Sequence, residues 1–140
     1  MDFIIRKAFV SDLNDICALE GRFNADGFPR WMLKKLIKSK SNLFLVADAS
    51  DNSIGCAIVS FRKNSRKTRL YSIVVSEKCE GHGVAKRLIE KCEKEMIKLG
   101  KTSMYLEVSI ENKRAISLYK HLGFEIKETI KTYYQSGRDE

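Results

Sequence analysis

The stretch Tyr71-Ser72-Ile73-Val74-Val75-Ser76-Glu77-Lys78-Cys79-Glu80-Gly81-His82-Gly83-Val84-Ala85 decides the fold. Its first five residues read as a buried strand, its glycines as a short loop, and Val84 opens a long helical pattern. Strand, loop and helix in that order begin a crossover of an α/β sheet. The same order is a device for holding an anion. Glycines let the backbone approach a ligand with no Cβ in the way, and the helix that follows presents unpaired amides and a positive dipole end.

Gly-x-Gly between strand and helix also occurs as a plain turn, so the flanking residues matter. A nucleotide phosphate loop needs Lys then Ser or Thr after its last glycine, and here Val84-Ala85 follow. A dinucleotide fingerprint needs glycine or alanine where Lys86 stands. Neither fits.

Upstream of the loop, residues 3–7 alternate as a first strand, and Ser11-Asp12 can cap a helix with Leu13, Ile16 and Cys17 on one face. That helix fades between Gly21 and Gly27, and Pro29 at a first-turn position restarts the pattern through Trp31, Leu33, Leu36 and Ile37. Residues 42–49 and 54–61 are β-rich runs joined by the turn Ser50-Asp51-Asn52-Ser53, and a turn at Asn64-Ser65 leads into 70–75. Three antiparallel strands are expected.

Downstream, Val84, Leu88, Ile89, Cys92, Met96 and Leu99 recur every three or four residues, and Gly100 closes the helix. Residues 103–109 form a strand with Met104, Leu106 and Val108 on one side and Tyr105, Glu107 and Ser109 on the other. A helix over about 113–122 ends at Gly123, and 124–134 is extended. The order is β-α-α-β-β-β-α-β-α-β, a single α/β domain over residues 1–140 with no repeat or linker.

At 140 residues and 44% hydrophobic content the chain supports one core. Cys17, Cys56, Cys79 and Cys92 form no C-x-x-C pair, and His82 and His121 are the only histidines, so neither a metal site nor a disulfide frame is expected. No apolar run approaches the roughly 18 residues of a membrane span and no leader pattern is present, which points to the cytoplasm. The net charge of +8 favours anionic ligands, yet the charges are mostly mixed. The dense patch is Arg62, Lys63, Arg66, Lys67 and Arg69. With no aromatics interleaved it reads as an exposed hairpin tip, ahead of a specific nucleic-acid site, with attraction of an acidic substrate or of ribosomal RNA left open.

A second constellation is Leu106-Glu107-Val108-Ser109-Ile110-Glu111-Asn112-Lys113-Arg114-Ala115-Ile116-Ser117-Leu118-Tyr119-Lys120-His121-Leu122-Gly123-Phe124. It resembles L-E-V-x-x-x-N-x-x-A-I-x-L-Y-x-x-x-G-F of the GNAT superfamily of N-acetyltransferases, in particular the ribosomal-protein N-terminal alanine acetyltransferases, and every fixed position matches. Glu80, Gly83 and Ala85 occupy the three defined positions of that family's Q/R-x-x-G-x-G/A pyrophosphate signature, and two of them match. The resemblance takes in the strand order and the pair Tyr133-Tyr134, nearly the whole chain.

The resemblance implies the GNAT fold, a mixed central sheet in which the fourth and fifth strands splay apart near Val75 and Val108 to admit acetyl-CoA. It implies that the pantetheine arm lies along Ile73, Val74 and Val75 and that the segment Glu80, Gly81, His82, Gly83, Val84, Ala85 and Lys86 holds the pyrophosphate. Asn112 would touch the pantetheine or its phosphate end. Glu107 would act as general base toward the amine and Tyr119 would protonate the departing thiolate, with no metal. Phe28 and Trp31 would line the acceptor site, and Tyr133 and Tyr134 would grip a peptide N-terminus.

Those residue types suit the chemistry on their own terms. An α-amine of pKa about 8 is partly protonated at neutral pH and needs a base, and a thiolate of pKa about 8.5 takes a proton from a phenol of pKa about 10 where the site favours it. Taken singly, Tyr119 is a core-edge tyrosine, Glu107 a solvated strand residue, His82 loop decoration, Cys79 filler, and Phe28 and Trp31 core residues. Together, at this spacing and with the loop upstream, the catalytic reading prevails. The expected activity is acetyl transfer to a primary amine, first a protein N-terminal α-amine such as that of a ribosomal protein. The alternatives are a small amine or a lysine as acceptor, or a non-catalytic acyl-CoA-binding module.

Two departures stand out. Glu80 replaces the Gln or Arg of the signature and sets a negative charge near a dianion, with Lys78, Lys86 and Arg87 close by in sequence to offset it. The family's final strand has no counterpart before Glu140, and an exposed sheet edge of that kind leads to an expectation of self-association into a homodimer.

Overall fold

The computed structural model describes residues 2–23, 28–50 and 52–127. The chain falls into two units, residues 1–106 and 107–140.

In the first unit β1 (Ile4–Lys7), β2 (Asn42–Asp48), β3 (Ser53–Phe61), β4 (Lys67–Val75) and β5 (Ser103–Tyr105) form one sheet in that order. The first four pair antiparallel, β2 to β4 through short turns; β5 joins β4 in parallel. A parallel neighbour needs a crossover, supplied by α3 (Val84–Lys98). Helices α1 (Leu13–Phe23) and α2 (Arg30–Lys38) precede β2.

Alternation along the central strands sorts the core into two layers. Phe44 and Val46 of β2 and Cys56 and Ile58 of β3 pack with Leu13, Ile16, Leu19 and Leu33 of α1 and α2. The other side chains of those strands face α3: a Cβ on Gly55 would lie 3.1 Å from Val84 Cγ1 and 3.4 Å from Leu88 Cδ1. Because both faces are covered, β3 is buried from Ser53 to Val59 and reads as an unbroken apolar run. Gly55 lets α3 approach closely, and it fixes the height of the helix start above β4.

The entry to α1 differs from a simple Ser-Asp cap. A 3-10 turn over Val10–Asp12 comes first, and Asp12 Oδ2 accepts the Phe9 amide at 2.7 Å. The same carboxylate takes two bonds from Arg6, at 2.9 and 2.8 Å, while Arg6 Nε donates to Asp48 at 2.9 Å. The Arg6 bonds, opposed by burial, hold Asp12 below the usual carboxylate range. Residues 24–27, where that helix is expected to fade, lie outside the described residues. Pro29 is the N-cap of α2. Trp31, a core candidate from sequence, is 68% exposed.

Two further differences concern strands. The strand expected over 103–109 ends at Tyr105, though its alternation continues: Met104, Leu106 and Val108 are half-buried and Tyr105, Glu107 and Ser109 exposed. Pairing with β4 covers only Lys67 with Ser103, Thr68 with Met104 and Arg69 with Tyr105. β4 runs six residues further, to Val75, with no strand on its β5 side among the described residues. The pairing of the fourth and fifth strands thus stops well short of Val75, as the expected splay requires. Residues 124–127 form no strand, and the remainder of the expected last strand lies outside the described residues.

In the second unit α4 (Lys113–His121) is capped at both ends. The Asn112 carbonyl oxygen accepts the Ala115 amide at 3.1 Å.

Candidate functional site

β4 carries a bulge. Ile58 pairs with Ser72 and Val59 with Leu70, so Tyr71 faces no partner residue. Its ring lies 5.3 Å from that of Phe28 and 5.0 Å from the Arg69 guanidinium. Past the bulge Ile73 is buried and Val74 packs against the α1 layer. Ile73, Val74 and Val75 thus form the strand end that borders the splay.

The glycine loop follows at once. The Ser76 amide bonds Ile54 O at 2.7 Å, and a 3-10 turn over Glu77–Cys79 drives Cys79 inward as a buried anchor. Glu80, Gly81, His82 and Gly83 are exposed. Gly81 and Gly83 have φ of +86° and +77°, a left-handed backbone that costs a non-glycine residue about 1–2 kcal/mol. A Cβ on either would meet nothing within 4 Å. Gly83 caps α3 without a side-chain bond, and the first helical bond runs from Arg87 N to Gly83 O at 3.0 Å. The amides of Val84, Ala85 and Lys86 therefore have no acceptor within the helix. An open loop, uncapped amides and a helix dipole together make a seat for an anion.

Of the cations expected to offset Glu80, Arg87 is spent elsewhere. It donates to Phe3 O at 3.2 Å and lies 4.4 Å from the Phe3 ring, tying α3 to the strand at the far side of the sheet. Lys78 and Lys86 are exposed beside the loop.

In the second unit Glu107 is exposed and Tyr119 half-buried. Gly123, at φ +103°, ends α4 with bonds from Gly123 N to Lys120 O at 3.0 Å and from Phe124 N to Tyr119 O at 2.9 Å. That pattern is a Schellman cap, which brings the residue after the glycine onto the residue three from the helix end. Here Phe124 meets Tyr119 edge-on, with centroids 6.0 Å apart and planes at 76°. The spacing Tyr-x-x-x-Gly-Phe is thus a physical unit: the glycine closes the helix and the phenylalanine orients the tyrosine. Tyr133 and Tyr134 lie outside the described residues.

Sequence reasoning missed Glu20. Only 2% exposed, it accepts from Ser72 Oγ at 2.8 Å and from Cys56 Sγ at 3.7 Å, and burial raises its pKa above the ordinary glutamate value against the Ser72 bond. A signal existed: Glu20 stands four after Ile16 and seven after Leu13, on the apolar stripe of α1. Burial also pushes the Cys56 thiol well up and that of Cys92 to about 12, so both are inert packing groups. Among the described residues no group of three His, Cys, Asp or Glu could hold a metal ion, and no helix is long and apolar enough to cross a membrane.

Comparison with known proteins agrees with this geometry. The profile of the acetyltransferase (GNAT) family matches residues 12–124. An N-alpha-acetyltransferase of Saccharolobus solfataricus is 28% identical over 99% of this chain and 89% of its own length. An uncharacterized N-acetyltransferase of Methanocaldococcus jannaschii is 29% identical over 92% of this chain, which spans 63% of that relative's length. Among solved structures, the PaiA N-acetyltransferase of Thermoplasma acidophilum in complex with coenzyme A superposes with a TM-score of 0.83 at 22% identity, over 93% of this chain and 94% of that one. The aminoglycoside 6'-N-acetyltransferase of Acinetobacter baumannii gives 0.84 at 20% identity, over 94% of this chain and 97% of that one. The family profile covers the strand, the glycine loop and the Glu107 to Phe124 run alike, and the chain belongs to the GNAT family of acetyltransferases.

Proposed function

We propose that the chain transfers an acetyl group from acetyl-CoA directly to the α-amine of a protein N-terminus. The observation that carries the donor half is the edge of β4 past Arg69, which has no strand on its β5 side among the described residues and leads without interruption into a glycine loop with uncapped amides. The residues fit coenzyme A. Backbone groups along Ile73, Val74 and Val75 suit an amide-bearing arm. The open cradle from Glu80 through Gly81, His82, Gly83, Val84 and Ala85 to Lys86 suits a pyrophosphate. Asn112, whose carbonyl oxygen takes the Ala115 amide, is assigned by the family resemblance to the pantetheine or its phosphate end. The acceptor half is supported by the archaeal relatives named N-alpha-acetyltransferase, at 25–28% identity over 99% of this chain.

Acetyl-CoA supplies a thioester carbon for the amine to attack. Glu107 takes the proton that the amine sheds as the C–N bond forms, and Tyr119 gives one to the sulfur as the C–S bond breaks. A phenol is the weaker acid by about 1.5 pKa units in water, so Tyr119 works only where the departing sulfur is poorly solvated. The edge-on packing on Phe124 holds the ring in one orientation for that task. Phe28, its ring tilted at 44° against that of Tyr71, and the exposed Trp31 are assigned to the acceptor side.

Turnover of acetyl-CoA against N-terminal peptides, ribosomal-protein sequences included, set beside a panel of polyamines, amino sugars and lysine peptides, tests the acceptor. Glu107→Gln and Tyr119→Phe are each expected to lower kcat by about 10²–10⁴ with folding intact. If neither slows the reaction, both roles are wrong.

A further inference from the structure

The end of the sheet away from the glycine loop is charged in one sign. The β3–β4 hairpin carries Arg62, Lys63, Arg66 and Lys67 exposed, and Arg69 half-buried over Tyr71. Lys101, between α3 and β5, clamps the hairpin: its Nζ donates to Arg62 O and to Ser65 O, both at 2.6 Å, and Thr102 N bonds Arg66 O at 2.9 Å. The α2–β2 connection meets the same end, where Phe61 N bonds Ser41 O at 3.0 Å next to the exposed Lys40. Residues 38–47, 61–72 and 100–106 contain no Asp or Glu. Apart from α2, which carries Arg30, Lys34, Lys35 and Lys38 without an acid, the rest of the first unit mixes its signs, as a merely solvated surface does. Here like charges are held together by backbone bonds, and their repulsion is relieved when an anion binds.

We infer that this flank selects acceptor peptides with acidic residues a few positions beyond the reacting N-terminus. The inference rests on the reading above: an arm that starts from the glycine loop and lies along Val75, Val74 and Ile73 would carry its acetyl group toward the place where β4 and β5 close. That closure is Arg69 with Tyr105, inside the basic flank. From Tyr71 to Lys67 a strand spans about 13 Å at ~3.3 Å per residue, the length of about four extended peptide residues. An acceptor whose amine is at the bulge therefore lays its third to sixth residues across the hairpin. Nearness to the closure favours an acidic peptide over a nucleic acid as occupant.

The test uses peptides that begin with the same acceptor residue and carry four acidic, four Gln or four Lys side chains at positions three to six. Initial rates give kcat/KM, and anisotropy of labelled peptides gives binding without turnover. The acidic peptide is expected to lead the neutral one by about tenfold at low salt, the lead shrinking as salt rises, and the basic one to trail. Arg62→Gln/Lys63→Gln/Arg66→Gln should erase the lead while the neutral peptide stays within about twofold. The salt arm on the wild type and the single Arg62→Gln decide the matter if the triple variant unfolds. Equal acetylation of acidic and neutral peptides overturns the inference and leaves the proposed function standing. No acetylation of any peptide overturns both. Salt-sensitive binding of an RNA oligonucleotide, abolished by the triple variant without an acidic-peptide preference, overturns the inference in favour of nucleic acid.

Discussion

Helix α3 begins and ends at glycines of nearly the same conformation, and that symmetry isolates what the loop does. Gly83 has φ +77° and Gly100 +81°, and a Cβ on either meets nothing within 4 Å. Alanine at either position therefore carries only the left-handed backbone penalty, about 1–2 kcal/mol. With about 2.1 cal/mol/K per residue of unfolding entropy, a chain of 140 residues should lose about 3–7 °C in Tm in both variants. Coenzyme A should separate them. On the proposed assignment the pyrophosphate approaches through the open space over Gly83, while Gly100 closes the other end of the helix, with Gly100 N on Ile97 O and Lys101 N on Met96 O. Gly83→Ala should weaken acetyl-CoA binding by at least tenfold, about 1.4 kcal/mol, and Gly100→Ala by less than twofold. Calorimetric melting supplies the first quantity and isothermal titration with acetyl-CoA the second. Equal loss of affinity in the two variants, or unchanged affinity in Gly83→Ala, refutes the assignment of the loop.

Two titration predictions concern the support beneath the site. Burial raises the pKa of Glu20 above its unfolded value of about 4.3, so its contribution to stability is complete below that pH and declines as pH rises through the folded value. Glu20→Gln keeps an acceptor for Ser72 and cannot ionise, so its unfolding free energy should gain on wild type from about pH 4.5 upward, by at most about 1.4 kcal/mol per pH unit; a constant difference from pH 4 to 8 would sink the idea. Asp12 is shifted the other way, its stability present above about pH 4 and lost as pH falls through its depressed folded value. Asp12→Asn should cost about 1.5–3 kcal/mol at pH 7 through the Arg6 bonds, and urea titrations at pH 7 and pH 3 should show that gap narrowing in acid.

The sequence was most legible where one periodicity dominates. The stripe Val84, Leu88, Ile89, Cys92 and Met96 is buried as read, because α3 lies on the sheet with one face and water covers the other; Leu99, read as part of it, is the C-cap and is exposed. The two-sided burial of β3 is written equally plainly as an apolar run. Legibility failed where the partner, not the segment, decides. Residues 106–109 keep strand-like alternation, yet β5 stops at Tyr105 because its pairing with β4 stops there. Trp31 looked like core by type, but its helix spends its buried positions on Leu33, with Leu36 and Ile37 packed beside it. Glu20 was passed over since a charged residue on an apolar stripe is outvoted by its neighbours; only the facing Ser72 and Cys56 reveal its use. Asn112, Tyr119, Gly123 and Phe124 were read as a family pattern, and their common sense as the two caps of one helix emerges from the hydrogen bonds.

An edge proposed to receive a ligand has to stay extended without the neighbour that would ordinarily hold it. β4 loses β5 at Arg69, and its next six residues would be free to relax or to pair with another chain. Three contacts oppose this. β3 remains bonded through the register of Cys56 with Val74 and Gly55 with Val75. The Ser76 amide is pinned to Ile54 O. From the α1 side Glu20 takes the Ser72 hydroxyl at the first residue past the bulge, which pins the strand where its register shifts. Burying a carboxyl is unfavourable unless its bonds are made. That the chain does so here, beneath the strand assigned to the pantetheine arm, makes Glu20 part of what holds the edge straight.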